Sequence, residues 1–405
     1  MDRDSASAEY RDAARMLAEA SRGVTNTVQR MHRAIARRSF SLLGGTAEPA
    51  KLMHDGIAEL VYTSVHAGIT AGGAVAELAA HAAGASRPRG SLLESSAGSA
   101  AAGVLGGAFG ERAYTAPAAM TVRVNSAAVP ITPTSLAEAY PDASGHIVVF
   151  LHGLIETERW WYPRPARGGE PARADFGTRL AKDIDCTPLF LRYNTGKHIS
   201  TNGHELDEML SAVVEAWPTR VTRMSIVGHS MGGLVARSAV HDAALGSKPW
   251  VHRLAHLVCL GSPHNGAPLE LAAHVATWAL GRFPESAPLG DLLRLRSDGI
   301  KDLRYGYVQN EQWTGRDADA LLLRSPRAEC RVPDGARLHF VSATIGRDQH
   351  GVLARFLGDA LVTPASAGDE SQDALRHWVG GVHHFGLLHH DEVYRQLLAW
   401  LCAAE

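Results

Sequence analysis

Short apolar runs alternate with stretches whose apolar residues recur every third or fourth position, and from about residue 146 this alternation sets the expected architecture. HIVVFLHG (His146 to Gly153), TPLFLRYN (Thr187 to Asn194), RMSIVGHS (Arg223 to Ser230), HLVCLGSP (His256 to Pro263) and RLHFVSATIG (Arg337 to Gly346) are rich in Val, Ile, Leu and Phe. Such runs read as strands buried on both faces. Helical spacing fills the gaps around Phe176 to Ile184, Glu205 to Trp217 and Met231 to Leu245. Strands alternating with helices predict an α/β fold with a mostly parallel sheet, whose active site lies beyond the carboxyl ends of its strands. Just upstream, MTVRVNSAAVPIT (Met120 to Thr132) alternates with period two and predicts an antiparallel edge hairpin.

The first 85 residues have a different pattern. One helix is expected from Ser5 to about Glu19, and a second carries Val24, Val28, Met31 and Ile35 among Arg22, Arg30, Arg33, Arg37 and Arg38. From Gly56 to Ala85 the positions Ile57, Val61, Val65, Ile69, Val75 and Leu78 trace an amphipathic face. Glu59, His66, Glu77 and His81 make that stretch a poor membrane span. The basic helix has two readings, a solvated face packed on the main domain or a peripheral contact with an anionic membrane or lipid surface. The organisation that follows is a helical N-terminal extension (1–85), a small-residue-rich linker (86–118) and a catalytic domain (119–405). Residues 269–307 exceed what a crossover needs and form a candidate cap, in which Trp278, Leu280 and Phe283 either line an acyl pocket or pack on the sheet.

Composition narrows the function classes. With 405 residues, 45% hydrophobic, and a formal net charge of -2, the chain is globular and offers no global attraction to nucleic acid. Its substrates are expected to be neutral or apolar small molecules or lipids. Cys186, Cys259, Cys330 and Cys402 are far apart and form no CxxC pair, so they read as reduced thiols. MDRDSASAEYRDAARM lacks the apolar core of a secretory signal, so residence in the cytoplasm is the default expectation.

The chemistry centres on GHSMGG (Gly228 to Gly233). With 40 glycines in the chain a bare GxSxG is a weak signal, and context decides. Here it follows a strand and opens a helix, the setting in which a strained turn lifts a serine hydroxyl above a sheet. Ser230 is therefore the expected nucleophile. Its oxyanion donors would be the N–H of Met231, at the start of the helix, and of Leu154, just after the strand HIVVFL. His152 supports that loop, and His152 and His229 are expected to shape the substrate site. GSPHNGAPLE follows another strand, so His264 and Asn265 either approach the same rim or cap the next helix.

A serine nucleophile needs a base and an orienting acid, and in this type of sheet the acid follows the serine while the histidine comes last. Downstream of RLHFVSATIG the acids are Asp348, Asp359, Asp369 and Glu370, with Asp359 on a firm turn and Asp348 nearest the strand end. The histidines are His383, His384, His389 and His390. Val393, Leu397 and Trp400 mark the buried face of a terminal helix, which puts the base in the loop before it, at His384 or its neighbour His383. No acidic or thiolate cluster accompanies these histidines, so neither a metal nor an organic cofactor is expected.

VFLHGL, LRYNTGKHISTNG, IVGHSMGGLVARSA, LGSPHNGAPLE, GDALVTPASA and VHHFGLLHHDEVYRQLLAWL together resemble bacterial esterases and lipases of the α/β-hydrolase superfamily, near the PGAP1-like and triacylglycerol lipases. The resemblance runs from about Gly145 to the C-terminus. It implies Ser230 as nucleophile, Asp359 as acid, His384 as base, and Leu154 and Met231 as oxyanion donors. One departure is GDALVTP, with Ala360 and Thr363, where the family commonly reads GDGLVP. The implied activity is hydrolysis of carboxylic esters through an acyl-enzyme. A thioesterase, an acyltransferase and an intracellular polyester depolymerase share the same machinery, and a non-catalytic lipid- or partner-binding protein is the alternative of a different class.

Overall fold

The computed structural model describes residues 3–43, 48–86, 103, 107, 119–162, 174–266, 297–316, 330, 332–348, 358–368 and 373–403. Trp278, Leu280 and Phe283, the cap residues up to 296, most of the 86–118 linker, and Asp369 and Glu370 lie outside them.

The described residues fall into two compact units. The first holds two long helices, α1 (Arg3–Leu43) and α2 (Glu48–Ser86). The two helices expected before residue 40 are thus one, because no Gly or Pro between Glu19 and Val24 is strong enough to stop it; Gly23 lies within α1 with open space around its Cα. The pair is antiparallel. Ala18 meets Gly73, Arg22 donates to Thr70 at 3.3 Å, Arg33 pairs with Glu59, and the His32 and His54 rings are 5.0 Å apart. Leu52, Met53, Ile57, Leu60 and Val61 remain exposed on α2. No helix among the described residues is long and apolar enough to cross a membrane.

The second unit is built on an eight-stranded sheet of order β2-β1-β4-β3-β5-β6-β7-β8. A hairpin of β1 (Thr121–Val124) and β2 (Ala127–Val129) lies at one edge, as the alternation predicts, and β1 runs antiparallel to β4. The other pairs, involving β3 (His146–Leu151), β4 (Thr187–Arg192), β5 (Arg223–His229), β6 (Leu254–Leu260), β7 (Arg337–Thr344) and β8 (Leu375–Gly380), are parallel. The last strand, LRHWVG, escapes the apolar-run criterion. It is an edge strand with one neighbour, and only Val379 is fully buried.

Among the described residues, five helices join or flank these strands: α3 (Pro133–Ala139), α4 (Phe176–Ile184), α5 (Ile199–Ala216), α6 (Met231–Leu245) and α7 (Asp298–Asp302). Two more, α8 (Pro364–Ala367) and α9 (Asp391–Cys402), lie before and after β8. α5 starts six residues before the expected Glu205. Its first turn is held from outside, where Asp302 Oδ2 accepts the Ile199 N–H at 2.9 Å, a contact no local pattern announces.

The core sits on both faces of the sheet, because strand side chains alternate. On β3, Ile147, Val149 and Leu151 pack with Leu206 and Leu210 of α5 and Leu234 and Val235 of α6. Val148 and Phe150 pack on the other side with Phe176 and Leu180 of α4 and Val393 and Leu397 of α9. Each such buried aliphatic side chain contributes about 1.5–3 kcal/mol relative to exposure. This scaffold fixes the strand ends. After β3 the chain goes out to β4 on one side and then returns to β5 on the other, so the ends of β3 and β5 flank the switch point where open α/β sheets place their ligands.

Candidate active site

Ser230 follows β5 and immediately precedes α6, with φ 53° and ψ -121°. A non-glycine residue held there costs on the order of 1–3 kcal/mol and persists only where its surroundings over-determine it. They do so here. The Ser230 N–H donates to Leu260 O at the end of β6 (2.8 Å), and the Ser230 carbonyl accepts the Gly233 N–H (3.1 Å). The glycines on either side make room: a Cβ on Gly228 would lie 2.5 Å from the Gly232 carbonyl carbon, and one on Gly232 would lie 2.6 Å from His152 O and 2.7 Å from Leu151 O. Backbone, not flexible side chain, would have to move. Gly232→Ala is therefore expected to destabilise by about 2 kcal/mol, lowering Tm by roughly 4–8 °C in a thermal melt. A melt within 1 °C of the parent would mean the turn is not packed as described.

Ser230 is partly exposed between the fully buried His229 and Met231. No side chain caps α6, so its first N–H groups, beginning with Met231, point beyond the helix end without intrahelical acceptors. That end carries the positive pole of the helix. Facing it is the loop after β3. Gly153 comes so close that a methyl group on it would sit 3.0 Å from Ser230 Cβ. Two residues on, Ile155 has φ 60°, an uncommon choice for a β-branched residue, and its N–H donates to Thr195 Oγ1 at 3.3 Å. Leu154 lies between these two constrained positions.

Asp359 and His384 come together at the ends of β7 and β8. His384 Nδ1 is 2.7 Å from Asp359 Oδ2, and the His384 N–H donates to Asp359 O at 2.9 Å. The other carboxylate oxygen, Oδ1, accepts the N–H groups of Leu361 (3.0 Å) and Val362 (2.8 Å), which locks the acid's orientation. Both side chains are buried. Ala360 has φ 88°, the conformation a glycine would adopt freely, so GDALVTP keeps the turn with a strained alanine. Gly261, next after β6, lies against the His384 ring, where an added Cβ would come within 3.3 Å. The ring is thus bracketed by the loops that follow β6 and β7. His383, by contrast, is exposed.

The other polar residues expected at the substrate rim have partners of their own. His229 has no exposed surface: Nδ1 lies 3.0 Å from Glu156 Oε2 and Nε2 lies 3.2 Å from His384 O. Burial alone would push its pKa down, but the Glu156 carboxylate beside it raises it overall. Glu156 in turn is lowered, burial notwithstanding, by charged His229 and the hydrogen bond between them, so the two form a buried ion pair. His152 is also fully buried, stacked on Tyr193 at 4.4 Å, and burial pushes it down to about 4. It is a neutral prop for the loop rather than a base. His264 Nδ1 meets Arg237 at 2.7 Å, and burial first and then Arg237 drive its pKa well below the usual range. With Asn265, whose N–H reaches Ser366 Oγ and whose side chain reaches Ala365 O, it ties the loop after β6 to α8, just past the Asp359 turn.

Two contributors leave no motif in the sequence. Glu156 Oε2 also accepts the Gly153 N–H at 2.6 Å. Glu158, buried completely, makes a two-pronged ion pair with Arg192 at the end of β4, at 2.6 and 2.5 Å. The spacing of Glu156 and Glu158 fits an exposed turn equally well, and their partners are far away in sequence. Arg192→Met would strand a buried carboxylate, so it is expected to lower stability by about 3–5 kcal/mol in urea unfolding. Adding Glu158→Leu to it should recover part of that loss; an unchanged urea midpoint in Arg192→Met would contradict the assignment.

A cavity of about 220 Å³ lies farther along the strand ends, between His198, Trp313, Asp298, Asp302, Lys301 and Arg304 among others. Neither Ser230 nor His384 lines it, and its mixed charges suit no acyl tail.

The sheet order, the parallel strands and the strand-to-helix serine turn define the α/β-hydrolase fold. Within it, residues 142–280 match the family described as PGAP1-like alpha/beta domain, about a third of the chain. Solved structures with a similar fold include the mature form of the Bacillus licheniformis lipase BlEst2, at 18% identity over 62% of this chain and 91% of that one, with a TM-score of 0.39. They also include phospholipase PlaB from Legionella pneumophila (16% identity, 64% of this chain, 60% of that one, TM-score 0.39). A third is a Pyrobaculum calidifontis esterase (12% identity, 63% and 74% covered, TM-score 0.35). The comparison with curated proteins gives no match.

Proposed function

We propose that this protein hydrolyses carboxylic esters in two steps through an acyl-enzyme on Ser230. The observation that carries the reading is the partly exposed Ser230 held in a strained strand-to-helix turn, with the His384–Asp359 pair on the loops that follow β8 and β7. In the first step His384 Nε2 takes the Ser230 proton as Oγ attacks the ester carbonyl, and Asp359 keeps Nδ1 protonated and steadies the imidazolium. The oxyanion that forms is held by the Leu154 and Met231 N–H groups. His384 returns the proton to the departing alkoxide, which leaves as the alcohol. Water, deprotonated by His384, then attacks the acyl carbonyl; the proton passes to Ser230 Oγ, and the acid is released.

The test is covalent labelling. A fluorophosphonate probe is expected to modify Ser230 alone among the serines, as read by peptide mass spectrometry, and labelling should abolish turnover of p-nitrophenyl esters. A panel of increasing acyl length, with and without an oil-water interface, then defines the preferred ester. Full turnover by protein completely labelled at Ser230 would reject the reading.

A further inference from the structure

Under the serine turn lies an ion pair for which the two-step mechanism has no use. Glu156 and His229 are both buried, Glu156 on the loop that follows β3 and His229 as the last residue of β5. A buried pair of this kind is a poor way to stabilise a fold, since the desolvation of two charges offsets most of their attraction. This one is also incompletely satisfied: Glu156 Oε1 is buried and has no hydrogen-bond partner among the described residues. What the pair does accomplish is geometric. A single oxygen, Oε2, joins the Gly153 N–H (2.6 Å) to His229 Nδ1 (3.0 Å), and the far side of the same imidazole reaches the main-chain oxygen of His384 (3.2 Å). Three segments separated by up to 231 positions along the chain, the loop at Gly153, the end of β5 at His229 and the loop at His384, are thereby joined through two side chains.

The loop so held is also the strained one. Ile155, with φ 60°, follows Leu154 directly, and strain of this sort relaxes unless neighbouring contacts oppose it. The Gly153 N–H is already committed to Glu156, which leaves the next N–H, that of Leu154, as the donor the loop can offer an oxyanion.

We propose that Glu156 is a positioning residue, which acts through Gly153 and His229 to hold the Leu154 N–H at the height of the developing oxyanion and to keep the His384 loop in register with Ser230. The proposal rests on the acyl-enzyme reading above. It makes Glu156 matter for the transition state and not for ground-state binding, because a misplaced donor costs most when charge has developed on the oxygen.

The experiment compares Glu156→Ala, Glu156→Asp and Glu156→Gln with the parent enzyme and with Ser230→Ala, each checked for folding by circular dichroism and thermal melting. Loss of both tethers in the alanine variant is expected to lower kcat about 100-fold, within the range for removal of one oxyanion donor, while KM stays within about 3-fold. Inhibition by a trifluoromethyl ketone, which becomes a tetrahedral oxyanion on Ser230, should weaken in parallel with kcat. Aspartate, one methylene too short to span both partners, should lose about 10-fold. Glutamine, whose carbonyl can accept both N–H groups, should restore kcat to within about 5-fold of the parent. If the alanine variant fails to fold, the aspartate and glutamine pair decides.

Parental kcat in a folded Ala or Asp variant would overturn the proposal, as would losses that fall equally on KM and leave ketone affinity untouched. If Ser230→Ala kept its ester turnover, the acyl-enzyme reading and this proposal would fall together. If Ser230 proved essential while Glu156→Asp behaved as parent, the positioning role alone would fall.

Discussion

Ser230→Ala is expected to lower kcat for p-nitrophenyl esters by about 10⁵- to 10⁶-fold while leaving the protein folded, an effect of the size seen when a serine nucleophile is deleted from a working triad. The fold should tolerate the change. Alanine meets the same backbone strain at φ 53° as serine does, and the two hydrogen bonds that hold the turn, Ser230 N–H to Leu260 O and Gly233 N–H to Ser230 O, are made by main-chain atoms. The melting temperature should therefore stay within a few degrees of the parent's. Activity within tenfold of the parent, in a preparation shown by mass spectrometry to contain only alanine at 230, would require a different nucleophile.

Asp359→Asn should cost about 10⁴-fold in kcat near neutral pH, and the local hydrogen bonds explain why the amide cannot adapt. Asp359 Oδ1 accepts two main-chain N–H groups, from Leu361 and Val362. The amide oxygen of asparagine must occupy that place, because an NH₂ group there would face two donors. Its NH₂ is then directed at His384 Nδ1, where the carboxylate Oδ2 had been 2.7 Å away. An NH₂ donor forces Nδ1 to accept, so the ring proton moves to Nε2, the nitrogen that must take the serine proton. The variant should fold, and its loss should appear in kcat at unchanged active-site content. A loss below tenfold would show that Asp359 does not orient the base.

The helix and strand alternation was legible because most of the sheet is buried on both sides, and burial on both sides writes continuous apolar runs into the chain. The same logic hid β8, an edge strand of the sequence LRHWVG whose exposed positions place no apolar demand on the sequence. The serine turn was visible because its constraints are local: Gly228, Gly232 and the strand before them lie within a few residues of Ser230. Pairing of an acid with a histidine is not local, so chain order could narrow the field to Asp348 or Asp359 and to His383 or His384 without showing which two meet. The structure puts Asp359 against His384, with His383 exposed. Glu156 was unreadable for the same reason in stronger form, since its imidazole partner is 73 positions away and nothing in IETERW distinguishes a buried carboxylate from a solvated one. His152, His229 and His264 stood near the right strand ends, but position along a strand cannot tell whether a ring faces substrate or is consumed by a neighbour.

The His384 loop follows β8, at the opposite edge of the sheet from the β1–β2 hairpin. During synthesis Ser230 and its turn emerge first, and the 154 residues from Met231 through His384 take roughly 8–30 s to follow at ordinary elongation rates. For that interval a nascent chain can hold a folded elbow without His384. On the proposed reading, a chain released after β7 presents the serine without its base.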